Sequence, residues 1–245
     1  MRTKQFTLSL CAAALAVLST FTSARALEVI TLRSGQYLGS PGVAGDPDDI
    51  VNYYTEGAVA PIATVFDTEF AAADTGPVAL VVDPHPLWLP SLPADPLARW
   101  INWDVGPAPG GTLGFPPASA LYSARFNVTT PGTSSASLKV YFAVDDLLGD
   151  TGFGGPNPEG MYMNGTPLTA SFGGNIAAQT SYSASVTVNQ GLNHLYFYDR
   201  DVGAAVSGLI FSATIVIPEP ATWLLLVSGS GLALLRRRKR FGEVA

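Results

Sequence analysis

The chain has 245 residues, a single cysteine and a formal net charge of −6. Charge is segregated. Residues 27–217 hold seventeen Asp/Glu against five Lys/Arg (Arg33, Arg99, Arg125, Lys139 and Arg200), a net −12, and the other cations lie at the two ends. An acidic body argues against nucleic acid or an anionic membrane surface as partner. It leaves cations and neutral sugars open.

Arg2 and Lys4 precede an apolar run from Phe6 to Phe21, and Ala24-Arg25-Ala26 follows. This is the pattern of a secretory signal peptide cleaved after Ala26. It implies the Sec translocon and a signal peptidase as partners, and a mature start at Leu27. Cys11 lies inside the signal, so the mature chain has no disulfide to draw on in an oxidising compartment. Its stability must come from a core, and residues 27–217 are long enough for one.

Helical periodicity is nearly absent from this body, alternation is frequent, and Gly and Pro punctuate it throughout. That predicts an all-β sandwich or barrel. In the first half, Leu27 to Arg33, Ile62 to Phe66 and Val78 to Val82 are strand candidates. Gly45-Asp46-Pro47-Asp48-Asp49 reads as an acidic loop. Asp83 to Pro96 contains five prolines, which forbid a central strand and predict an extended loop.

The pattern sharpens from Arg99. Trp100 to Trp103 is a short strand, and Pro107 to Pro117 a Gly/Pro loop. Tyr122, Ala124, Phe126 and Val128 alternate with Ser123, Arg125, Asn127 and Thr129, which sends one face inward and one to water. Leu138, Val140, Phe142 and Val144 repeat this, with Lys139 and Tyr141 outward. Met161 to Asn164 ends in Asn164-Gly165, a type I′ turn signal. Val186 and Val188 form a further strand. Gly191-Leu192-Asn193 opens the strand His194 to Asp199, and Leu209, Phe211, Ala213 and Ile215 share a face of the last one.

In order, these pieces are an aromatic strand, Tyr122-x-x-x-Phe126, a strand ending Asp145-Asp146, Met161 to Gly165, Gly191 to Phe197, and Gly208 to Phe211. The series resembles the jelly-roll sandwich of galactose-binding-like domains, most clearly from residue 98 to 216. That resemblance implies association with carbohydrate, although such folds host unrelated functions.

At the C-terminus, Pro218-Glu219-Pro220 is followed by an apolar helix candidate over residues 221–235 and then by Arg236, Arg237, Arg238, Lys239 and Arg240. Fifteen helical residues rise about 22 Å, short of a ~30 Å hydrocarbon core. Trp223 suits the membrane interface, and the cations should stay cytoplasmic. This order of motif, helix and cations over residues 218–240 resembles the PEP-CTERM sorting signal of Gram-negative bacteria. The resemblance implies an exosortase partner, processing near Pro218-Glu219-Pro220, and transient residence in the inner membrane. It further implies release to the cell surface or an extracellular polysaccharide matrix.

Two constellations in the body invite chemistry. Asp145, Asp146 and Asp150 flank a strand end and a Gly-rich loop, and carboxylates with nearby backbone carbonyls suit a structural Ca²⁺. The plain alternative is carboxylates capping their own turns. Trp100, Trp103, Tyr196 and Tyr198 offer faces on which a sugar could stack, with burial beneath the N-terminal segment as the alternative. Catalysis has little support: there is no G-x-S-x-G, no H-E-x-x-H, no phosphate-binding loop and no mature cysteine. The expectation is a non-enzymatic exported protein that associates with exopolysaccharide. A structural or adhesive surface protein and a secreted glycoside hydrolase or lyase are the other classes.

Overall fold

The computed structural model describes residues 27–57, 61–62, 67–105, 116–150, 155–170, 172–173, 175–203 and 205–218. The signal peptide, Pro107–Phe115, the 221–235 segment and Arg236 to Arg240 lie outside the described residues. Residues Glu28–Ile217 form one compact unit. Among the described residues no helix is long and apolar enough to cross a membrane.

The strands are β1 (Leu27–Arg33), β2 (Gln36–Tyr37), β3 (Ser40–Pro41), β4 (Pro47–Thr55), β5 (Val78–Val81), β6 (Ile101–Asn102), β7 (Ala120–Val144), β8 (Leu147–Leu148), β9 (Glu159–Met163), β10 (Thr166–Ala170), β11 (Phe172–Gly173), β12 (Thr180–Arg200) and β13 (Leu209–Pro218). One helix, α1 (Asp67–Thr75), sits between β4 and β5.

The body is a β-sandwich whose two sheets share two long bent strands. The N-terminal half of β7 pairs with β4 (Val51↔Ala124) and with the C-terminal half of β12 (Leu195↔Ala124), which pairs onward with β9 (Leu195↔Met163). The C-terminal half of β7 pairs with β13 (Phe211↔Phe142) and with the N-terminal half of β12 (Val186↔Ala136). The register slips between Asn189 and Gly191. There β7 runs through Thr129-Thr130-Pro131-Gly132, where Pro131 has no N–H to give a ladder and Gly132 takes a φ of 78°. Both strands bend at this point and pass from one sheet to the other.

Alternation placed the interior correctly. Tyr122, Ala124, Phe126, Val128, Leu138, Val140, Phe142 and Val144 all lie in one core with Leu195, Phe197, Leu209, Phe211 and Ile215. Arg125, Asn127 and Thr129 are exposed. The pairs expected as separate strands, Tyr122 to Thr129 with Leu138 to Val144, and Val186/Val188 with His194 to Asp199, are the halves of β7 and β12. Gly191-Leu192-Asn193 therefore lies inside a continuous strand and does not open one.

The first half departs most from expectation. Pro47-Asp48-Asp49 opens the nine-residue strand β4, because each carboxylate is spent on backbone. Asp48 accepts the N–H groups of Gly35, Ile50 and Val51, and Asp49 those of Leu38 and Gly39. Ile62 is not in a strand, and residues 63–66 lie outside the described set. Helix α1 corrects the all-β expectation. Acids in its first turn and three consecutive alanines favour it, and Phe70 and Ala73, one turn apart, bury one side. Gly76-Pro77 ends it. A Cβ on Gly76 would lie 2.1 Å from the Tyr53 carbonyl oxygen, so only glycine lets the chain turn there.

The segment 27–97 is therefore integral to the sandwich. β5 and β6 join β4 to β13 (Leu80↔Asn102, Leu209↔Ile101) and close one side of it. On the other side, among the described residues, β10 and the N-terminal half of β12 share no ladder.

Candidate functional site

The aromatic platform expected on the strands does not exist as a surface. Tyr196 and Tyr198 are 4% and 0% exposed, under α1 with Phe70, Ala73 and Tyr162. The Tyr196 hydroxyl donates to Asp74 Oδ2 at 3.0 Å and the Tyr198 hydroxyl to Asp150 Oδ1 at 3.3 Å. Burial, then these carboxylates, push both phenols well above the usual tyrosine range, so both stay protonated. Trp100, 1% exposed, lies under the 83–99 segment, with its ring 4.3 Å from that of Trp88 at a 32° tilt and its indole donating to the Leu89 carbonyl. Trp103 is half-buried and its indole donates to the Pro116 carbonyl. The physical reason is that both outer faces of the sandwich carry apolar residues, and the N-terminal half of the chain covers them.

The three candidate metal ligands do not converge. Asp145 Oδ2 accepts the Trp88 indole N–H at 3.0 Å. Asp146, at φ 67°, accepts the backbone N–H groups of Val202 and Gly203. Asp150 is buried against Asn157, Tyr198 and Arg200, whose Nε lies 3.2 Å from Oδ1. Among the described residues no group of three or more His, Cys, Asp or Glu is arranged to hold a metal ion. Burial, then the neighbouring Asp146 charge, pushes Asp145 up to about 6. Burial and the Asp145 and Asp201 charges push Asp199 well above the usual carboxylate range.

One cluster escaped the sequence reading because its members are 49 and 71 residues apart. Asp74 at the end of α1, Ser123 on β7 and His194 on β12 meet on the outer face. Ser123 Oγ donates to Asp74 Oδ1 at 2.6 Å, and His194 Nδ1 lies 2.9 Å from both that oxygen and Ser123 Oγ. The residue types match a nucleophile triad but the geometry does not. A triad needs one imidazole nitrogen on the acid and the other on the hydroxyl. Here Nδ1 faces both, the serine hydroxyl donates its hydrogen bond to the carboxylate, and Ser123 is buried. Burial lowers the His194 pKa, with Asp74 opposing it. The cluster fastens α1 to the sheet.

A groove of about 460 Å³ opens where the sandwich is not closed, between β10 and the N-terminal half of β12. Its floor is Met163, Leu168, Tyr182 and Val186, and its rim carries Asn164, Thr166, Ser185, Thr187 and Asn189. Among the described residues, none that line it is charged. Two strand edges without a common ladder make the gap, and side chains hold its width. Tyr182 donates its hydroxyl to the Leu168 carbonyl across it. At one end Asn164-Gly165 forms the expected two-residue turn, with φ values of 51° and 79° and Thr166 paired to Met163. Only the Asn-Gly signal and the strand at Val186 and Val188 were readable beforehand. The juxtaposition of β10 with β12 was not.

No family model matches the chain, and no curated protein matches it. Several solved structures are similar to it. A family 35 carbohydrate binding module from Clostridium thermocellum shares 12% identity at a TM-score of 0.30, over 76% of this chain and 97% of that one. CBM35 from Cellvibrio japonicus Abf62 shares 11% at 0.32, over 79% and 99%. A Stig cyclase from Fischerella sp. TAU shares 13% at 0.35, over 72% and 89%. An uncharacterized protein from Listeria monocytogenes is matched over 8% of its own length. These scores lie below 0.5 and these identities below 25%, so the reading of the site rests on its own geometry.

Proposed function

We propose that residues 28–217 form a non-catalytic, glycan-binding body of jelly-roll type. It belongs to an exported protein delivered to the cell surface or extracellular matrix by an exosortase. The observation that carries the binding half is the groove. Its size is ordinary for a ligand site. It combines an apolar floor, which suits the C–H faces of a sugar ring, with a rim of hydroxyl and amide groups, which suits ring hydroxyls. The absence of charge on its lining favours a neutral polysaccharide. The delivery half is supported by the order of Pro218-Glu219-Pro220, apolar stretch and cations, and by the signal peptide. The non-catalytic reading is supported by the Asp74–Ser123–His194 geometry, which prepares no nucleophile.

The test is affinity electrophoresis of the purified protein through gels containing neutral polysaccharides (mannan, xylan, mixed-linkage glucan, dextran) or acidic ones (alginate, polygalacturonate). Retardation by at least one neutral polymer is expected, reduced about tenfold or more in Thr187→Arg, which puts a bulky cation on the rim. Migration unaffected by every polymer overturns the binding reading. Release of reducing sugar from any of them overturns the non-catalytic one.

A further inference from the structure

We propose that Asn193, which does not line the groove, is the residue that positions its two walls against each other; the inference rests on the groove being the glycan site. Asn193 is 0% exposed, in β12 just beyond the bend. Its side chain makes four hydrogen bonds. Oδ1 accepts the backbone N–H of Asn189 at 2.9 Å and Nδ2 of Asn164 at 2.9 Å. Nδ2 donates to the carbonyls of Asn189 at 2.6 Å and Gly191 at 2.9 Å.

These partners are not interchangeable. Asn189 and Gly191 bracket the register slip, where β12 loses its ladder and its backbone groups need other partners. Asn189 is also the last rim residue on the β12 wall. Asn164 is the turn residue of the opposite wall. It is pinned a second time, its N–H donating to the His194 carbonyl and its Oδ1 accepting the His194 N–H. One buried carboxamide thus sets the angle of the bend and spans from the bend to the turn. Only an amide offers two acceptor and two donor positions at once. An aspartate at this position keeps the acceptors and loses both donors. The Asn189 side chain is held separately, Oδ1 accepting from Thr133 Oγ1 at 2.9 Å. Asn193 thus fixes, through the backbone, where Asn189 sits on the rim.

The test uses the purified protein with Asn193→Asp and, as a destabilised control, Phe211→Leu, a core change at a residue that does not line the groove. Three readouts are taken: melting temperature, amide hydrogen exchange at Asn189, and affinity for the neutral polysaccharide that most retards the wild type, measured well below both melting points. The expected result is a loss of affinity of about tenfold or more in Asn193→Asp, from two lost hydrogen bonds. Exchange at Asn189 is faster, and Phe211→Leu keeps wild-type affinity. Equal affinities for the two variants, or unchanged exchange at Asn189, overturn the proposal. If the wild type binds no polysaccharide, the glycan reading fails by itself. Exchange at Asn189 and the Asn164 side-chain amide resonances then decide whether Asn193 positions the walls.

Discussion

Truncating Phe211 tests the core directly. Its ring is fully buried, paired in register with Phe142 and stacked on Phe197 at 4.4 Å with 29° between planes. Phe→Ala in such a site costs about 3–5 kcal/mol, from lost transfer energy and the cavity left behind. A domain of this size loses about 2–4 °C per kcal/mol, so Phe211→Ala is expected to lower Tm by about 6–20 °C. Ser183→Ala, on the exposed face of β12 opposite Lys139, should change stability by no more than about 0.5 kcal/mol. The Phe197→Ala/Phe211→Ala cycle should show a coupling of about 0.5–1.5 kcal/mol, because either truncation already removes the stack. The assay is thermal unfolding followed by far-UV circular dichroism, with calorimetry to confirm a single transition. A Phe211→Ala shift as small as that of Ser183→Ala would refute the register and with it the two-sheet core.

Glu28 accepts the N–H groups of Thr129 and Thr130 and the Thr130 hydroxyl at 2.7–2.8 Å, at the bend of β7. Slight burial raises its pKa, but these bonds outweigh it and pull the carboxyl down to about 2. Its stabilisation is therefore present above about 4.5 and lost as pH falls toward 2, and Glu28→Gln should flatten the acid limb of a Tm-versus-pH curve. Asp145 behaves oppositely. Burial, then Asp146, raises it to about 6, so stability falls as pH rises from about 4 to 6. Asp145→Asn, which keeps an acceptor for the Trp88 indole, should raise Tm at pH 7 and leave it nearly unchanged at pH 4. Intact-mass measurement of protein recovered from the cell surface should give a species beginning at Leu27 and lacking Arg236 to Arg240. A species retaining those cations would count against exosortase processing.

What the sequence determined by itself was local. Period-two alternation assigned the buried faces of β7, β12 and β13, because side chains on a strand must go to opposite sides and one side was apolar. Asn164-Gly165 fixed a two-residue turn, because both positions need positive φ. What only the tertiary structure decided was which surfaces meet. The aromatics Tyr196 and Tyr198 alternate with the buried Leu195 and Phe197, yet α1 covers them too, since a strand pattern records two faces and says nothing of a third layer. The bend that passes β7 and β12 between sheets depends on Pro131, Gly132, Glu28 and Asn193 acting together from distant points. Asp74, Ser123 and His194 join in the same way across α1, β7 and β12. The groove arises where two strand edges run side by side without a ladder. No stretch of sequence encodes that gap, because it is a relation between residues 163–168 and 182–189 that exists only once the sandwich has closed on its other side.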